Sequence, residues 1–141
     1  MACIQSGGIY ALINDKGGTC LDLSGGDNRS IIGYPFHNGP NQAWIFHRQG
    51  DKFVIKSAGT GSYLGIEGQP RDGASVVAVG WEYAWEIQDE PGVHGSIRLF
   101  APGTPFNIDL TNYGDSTPGT PIQLWGRWDS ANQRWALRKI E

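Results

Sequence analysis

The chain has 141 residues, enough for one hydrophobic core of ordinary size but not for two. Its formal charge is −3 and its eleven Lys and Arg are scattered, which disfavours nucleic acid, heparin or an anionic membrane as partner. Twenty-one Gly and eight Pro argue against long helices, whereas six Trp, five Tyr and five Phe demand a packed interior or a binding face rather than disorder.

Along the chain, Met1–Tyr10 carries no basic region followed by an apolar run, and no stretch approaches the roughly 18 apolar residues of a membrane span. The expectation is a cytoplasmic protein that does not insert into membranes, with Cys3 and Cys20 as free thiols. Their spacing suits no metal site. A first alternating segment, Tyr10-Ala11-Leu12, is followed by Leu21-Asp22-Leu23. The same pair recurs as Phe53-Val54-Ile55 with Leu64-Gly65-Ile66, and as Ile97-Arg98-Leu99 with Ile108-Asp109-Leu110. Leu12, Ile55 and Leu99 lie 43 and 44 residues apart, and so do Leu21, Leu64 and Ile108. Two independent markers with one period define an internal repeat.

Each copy closes on a tryptophan: Gln42-Ala43-Trp44, Tyr83-Ala84-Trp85 and Gln133-Arg134-Trp135. Here the spacings drift to 41 and 50, because the loop before the Trp varies in length. Short period-two segments separated by Gly, Pro, Asn and Asp turns predict an all-β chain with about four strands per copy. Three copies are too few for most propellers. The expectation is a single β-trefoil domain over 1–141, with repeats at roughly 9–50, 51–92 and 93–141 and pseudo-three-fold symmetry. Trp44, Trp85 and Trp135 are expected in its core.

A three-fold repeat closing on Gln-x-Trp resembles the ricin B-type lectin family over nearly the whole chain. The run Leu21–Asn28 most resembles the small cytoplasmic lectins of mushrooms and other fungi. The resemblance implies non-enzymatic binding of terminal galactose or N-acetylgalactosamine, for which each repeat can hold one pocket built from an Asp on the second strand, an aromatic ring and an Asn before Gln-x-Trp. It also implies glycans, glycoproteins or glycolipids as partners, allows a homodimer, and suggests a role in fungal defence. The chemistry suits these residue types. An ionised carboxylate accepts from two adjacent hydroxyls, an amide offers both donor and acceptor, and the C–H face of galactose packs on a ring. No metal or other cofactor is required.

The first copy supplies the full set: Asp22, then Ser24 and Gly25 in a turn, Tyr34 and His37 as alternative stacking rings, and Asn41 with Gln42. This is the expected main site. The third copy offers Asp109, Trp125, Trp128, Asn132 and Gln133, behind a loop four residues longer that contains Tyr113. In the second copy Gly65, Glu82 and Tyr83 replace the Asp, Asn and Gln, so no galactose site is expected, although Trp81 offers a ring.

Two other readings stand beside this one. A glycosidase needs two carboxylates a few ångströms apart, and no such pair recurs within a copy. A Cys–His nucleophile pair drawn from Cys3 or Cys20 with His37, His47 or His94 has no supporting spacing, and His94 between Gly92 and Gly95 reads as a solvated loop residue. A β-trefoil protease inhibitor acting through an exposed loop is the alternative function, but it leaves the paired Asp, ring and Asn-Gln sets unexplained.

Overall fold

The structure, a computed structural model, describes residues 4–93 and 95–140. Cys3 and His94 lie outside the described residues. Twelve strands follow in four-strand groups: β1 Gly8–Asn14, β2 Cys20–Leu23, β3 Ile31–Tyr34, β4 Trp44–Gln49; β5 Lys52–Ser57, β6 Tyr63–Ile66, β7 Val76–Val79, β8 Ala84–Asp89; β9 Ser96–Phe100, β10 Phe106–Leu110, β11 Thr120–Gly126, β12 Trp135–Lys139.

Pairing divides these strands into a barrel and a cap. The first and fourth strand of each group close a ring of antiparallel neighbours, β1–β4–β5–β8–β9–β12 and back to β1. The middle strands form hairpins β2–β3, β6–β7 and β10–β11. The hairpins interlock across one end. Ser30 bridges to Val77, Ser75 bridges to Gln123, and Thr120 and Pro121 pair with Gly33 and Ile32. Each hairpin thus leans on the next, as a β-trefoil requires.

The three closing tryptophans explain how cap and barrel are joined. Trp44, Trp85 and Trp135 are fully buried. Their indole N–H groups donate to the carbonyls of Leu21, Leu64 and Ile108 at 3.0, 2.9 and 3.1 Å. Each thereby ties the start of its barrel strand to the first strand of its own hairpin. A Trp removes about 150–250 Å² from water, and at about 25 cal/mol per Å² this is ~4–6 kcal/mol before entropy is counted. Leu12, Leu21, Leu23, Ile55, Leu64, Leu99, Ile108 and Leu124 fill the space between them.

One detail departs from simple alternation. The middle residues of the first segments, Ala11, Val54 and Arg98, are buried as well as their apolar neighbours. In the third group this places a guanidinium inside the protein, 1% exposed. Cys20 is buried and unpaired, and desolvation pushes its thiol up to about 12.

Candidate functional site

Strand register places the key residues before any side chain is considered. Cys20 pairs with Tyr34 and Asp22 with Ile32, so Asp22 and Tyr34 are diagonal neighbours on one face of the β2–β3 hairpin. The same register puts Asp109 diagonal to Trp125, and Gly65 diagonal to Val79. Two hairpins therefore carry a carboxylate beside a ring, and the middle one carries neither.

In the first repeat Asp22 lies at the floor, 2% exposed, with each oxygen held by one amide. Asn41 Nδ2 donates to Oδ1 at 3.0 Å and Gln42 Nε2 to Oδ2 at 2.9 Å. Each carboxylate oxygen retains acceptor capacity for an incoming hydroxyl. Gln42 acts as a hub, since Nε2 also donates to the Pro35 carbonyl and Oε1 accepts from the His37 N–H at 2.9 Å. A 3₁₀ turn at Pro40–Gln42 delivers both amides. Burial pushes the Asp22 carboxyl above its ordinary range, while Gln42, His37 and Asn41 pull it back. His37 Nε2 stands 3.9 Å from Oδ2, and its ring meets Tyr34 edge-on at 5.9 Å. Tyr34 is exposed and forms the outer wall.

Five of the seven residues expected in this set thus come together: Asp22, Tyr34, His37, Asn41 and Gln42. Ser24 and Gly25 lie in the β2–β3 loop, where the Ser24 hydroxyl accepts from Gly26 N–H and a Cβ on Gly25 would meet open space. Asp27 organises that loop by accepting from Arg29 N–H, Ser30 N–H and the Ser30 hydroxyl, which hold it at about 2. Gly39 belongs with the site although its sequence drew no attention. A Cβ there would overlap the His37 ring and approach Asn41 Oδ1 to 2.8 Å. A glycine between an expected ring and an expected amide was the available signal.

In the third repeat all five expected residues converge, with different wiring. Gln133 Nε2 donates to Asp109 Oδ2 at 3.0 Å, and Gln133 Oε1 accepts from the Trp128 N–H at 3.1 Å. Asp109 Oδ1 receives Gln123 Nε2 at 3.3 Å, from the residue directly across the hairpin. Asn132 Nδ2 donates to the Leu110 carbonyl at 3.1 Å, as Asn41 Nδ2 does to the Leu23 carbonyl at 3.2 Å, and Asn132 Oδ1 is buried without a partner. Burial raises the Asp109 carboxyl, against the pull of Gln133, Gln123 and Asn132. Asp109, Gln123, Trp125, Trp128 and Asn132 line a pocket of about 560 Å³, whose rim includes Asn112 and Tyr113.

Beneath this pocket lies the buried guanidinium. Arg98 Nε donates to Glu90 Oε2 at 2.8 Å, Nη1 to Gln133 Oε1 at 2.9 Å and to Asn107 Oδ1 at 3.2 Å, and Nη2 to the Trp128 carbonyl at 3.2 Å. It therefore fixes the amide that fixes Asp109. Ala11 and Val54 occupy the corresponding strand positions in the other repeats.

The second repeat is closed by packing. A Cβ at Gly65 would lie 2.6 Å from Val79 Cγ2, so the space of a carboxylate is filled. Val79 stands at the ring position, while Glu82 accepts from Gln49 Nε2 at 2.8 Å and Tyr83 packs on Trp85. Among the described residues, no group of three His, Cys, Asp or Glu is arranged to hold a metal ion, and no helix is long and apolar enough to cross a membrane.

The ricin-type β-trefoil lectin domain-like family pattern matches residues 3–79, more than half of the chain. A ricin B-like lectin from Macrolepiota procera, solved in complex with lactose, is 47% identical. That alignment has a TM-score of 0.96 and covers 99% of this chain and all of that one. The chain belongs to the ricin B-type lectin family. Its likeness to the Rhizoctonia solani agglutinin (23% identity, TM-score 0.86, 99% of this chain and 100% of that one) shows the shared trefoil. So does its likeness to ThreeFoil, a designed three-fold symmetric protein, at 21% identity and a TM-score of 0.86 over 94% of this chain and 99% of that one. No curated protein matches the chain significantly.

Proposed function

We propose that the protein is a non-enzymatic lectin that recognises terminal galactose or N-acetylgalactosamine on glycans, with its main site in the first repeat and a second in the third. One observation carries this reading: a carboxylate clamped by a Gln amide beside a diagonal exposed ring is built twice, in the same register, on separate hairpins. Galactose presents adjacent 3- and 4-hydroxyls on one side and a C–H face on the other. The free acceptor sites of Asp22 and the Tyr34 or His37 ring suit those two features. Asn41 bonding directly to the carboxylate favours the first repeat as the main site. The Macrolepiota procera lectin, solved in complex with lactose, supports a galactose-bearing ligand.

The two carboxylates sit on separate hairpins, each held by side-chain amides, an arrangement suited to binding a sugar rather than to the paired-acid chemistry of hydrolysis. Each direct hydrogen bond replaces one to water, so a single site is weak and strength comes from engaging two sites on one glycan surface. Titration calorimetry with lactose tests the assignment. Asp22→Asn should abolish the stronger binding event and Asp109→Asn the weaker. Unchanged lactose binding in the double variant refutes both sites.

A further inference from the structure

The third-repeat pocket contains more than the carboxylate, ring and amides that a single galactose residue engages. We propose that it is a two-ring site, in which Tyr113 and Trp128 form a subsite for a second pyranose joined to the galactose-type residue on Asp109. The inference rests on the galactose reading of that pocket. Trp125 is the ring diagonal to Asp109 and serves the first sugar. Trp128 is held separately, through its backbone N–H on Gln133 and its carbonyl on Arg98. Tyr113 meets Trp128 at 86°, with centroids 6.3 Å apart, so the two rings form a corner open to solvent.

Three observations give this corner a ligand rather than a packing role. Tyr113 is 77% exposed and contributes nothing to the core. Its backbone is nevertheless held in a costly conformation, because Asn112 and Tyr113 both adopt the left-handed region at φ 54° and 57°. Hydrogen bonds from Thr111 Oγ1 to the Pro121 carbonyl and from Thr117 N–H and Oγ1 to Asp115 Oδ1 hold the loop that projects it. The pocket volume of about 560 Å³ also exceeds what one pyranose fills. The first-repeat loop is four residues shorter and has no counterpart of Tyr113.

The test uses the full chain carrying Asp22→Asn, so that only the third repeat reports, with methyl β-galactoside and N-acetyllactosamine as probes. The disaccharide should bind about three- to tenfold more tightly, the range expected of one extra aromatic contact. Tyr113→Ala should remove that preference and leave methyl β-galactoside unchanged, and Tyr113→Phe should retain it. Equal affinity for the two probes in the Asp22→Asn chain, or a preference that survives Tyr113→Ala, overturns the subsite. So does a loss of both probes in equal proportion. If the Asp22→Asn chain binds neither probe, the galactose reading of the third repeat fails instead, and the subsite with it.

Discussion

Arg98→Met removes the guanidinium beneath the third-repeat pocket while keeping most of the aliphatic stem. It deletes contacts to both Glu90 oxygens at 2.8 and 3.4 Å, and those to Asn107, Gln133 and the Trp128 carbonyl. Removing one partner of a buried ion pair costs ~3–5 kcal/mol, because the other charge is left uncompensated. Glu90 retains the half-exposed Arg127 at 3.7 Å, so the lower end, ~3 kcal/mol, is expected. That is a large part of the ~5–15 kcal/mol available to a domain of this kind.

Urea denaturation of Arg98→Met, Glu90→Gln and the double variant measures it. The double variant should be less destabilised than the sum of the singles, with a coupling of ~1–3 kcal/mol. The pH dependence supplies an independent check. Arg98 beside Glu90 holds that carboxyl below its ordinary 4.5. A depressed acid stabilises the fold fully above its unfolded value, and the contribution disappears as pH falls through the folded one. Arg98→Met should reduce this acid-side loss, leaving only the weaker pull of Arg127 and Arg134 on Glu90. Lactose binding should weaken at the third repeat and stay intact at the first. A cost below ~1 kcal/mol, or strictly additive effects, refutes the view that Arg98 and Glu90 work as a coupled buried pair.

Asp22 and Asp109 have the opposite sign, since burial raises both above 3.8. Sugar binding by the ionised carboxylates should be full near neutrality and fall as pH drops through values higher than an ordinary Asp allows, and calorimetry across acidic pH reads this. Gly65→Asp should create no site in the second repeat and should cost ~1–3 kcal/mol through overlap with Val79, a cost that Val79→Ala partly relieves in denaturation curves. Trp85→Phe leaves the buried Leu64 carbonyl without its donor and should lose at least ~1–3 kcal/mol, whereas Trp81→Ala at an exposed position should change stability by less than ~0.5 kcal/mol. In a Cys3→Ser chain, Cys20 with its thiol near 12 should react with a disulfide reagent only on unfolding, as followed by absorbance.

The 43–44 spacing made the trefoil readable because length changes on the two sides of the closing Trp cancel: Leu64 to Trp85 is two residues shorter than Leu21 to Trp44, and Trp85 to Ile108 is three longer than Trp44 to Leu64. The ring position of the second repeat was not readable: Trp81 was the ring its sequence offered, while strand pairing places Val79 diagonal to Gly65. Asp22, Asn41 and Gln42 were legible because carboxylate and amides lie at fixed distances from repeat markers. Gln123 was not, since its role follows from lying across the hairpin from Asp109, where the first repeat has Ile32. Arg98 was hidden for a related reason. Ile97-Arg98-Leu99 reads as a strand with a solvated middle, and only the arrival of Glu90, Asn107 and Gln133 from other segments makes its burial tolerable.

The interlocking of the hairpins has a consequence for how such a protein changes over time. Asp72, in the second repeat's hairpin loop, accepts from the Gly126 N–H at 2.7 Å, and Gly73 N–H donates to the Leu124 carbonyl, so the second repeat builds part of the third repeat's wall. The loop bearing Tyr113 rests in turn on the first repeat, where Gly119 N–H donates to the Gly33 carbonyl and a Cβ on Gly17 would strike the Gly114 carbonyl. The unit that is duplicated in the sequence is therefore not the unit that builds a pocket. Copying one repeat onto another transfers a carboxylate and a ring but not the neighbour that frames them, and a substitution in one repeat's loop can reshape the pocket of the next.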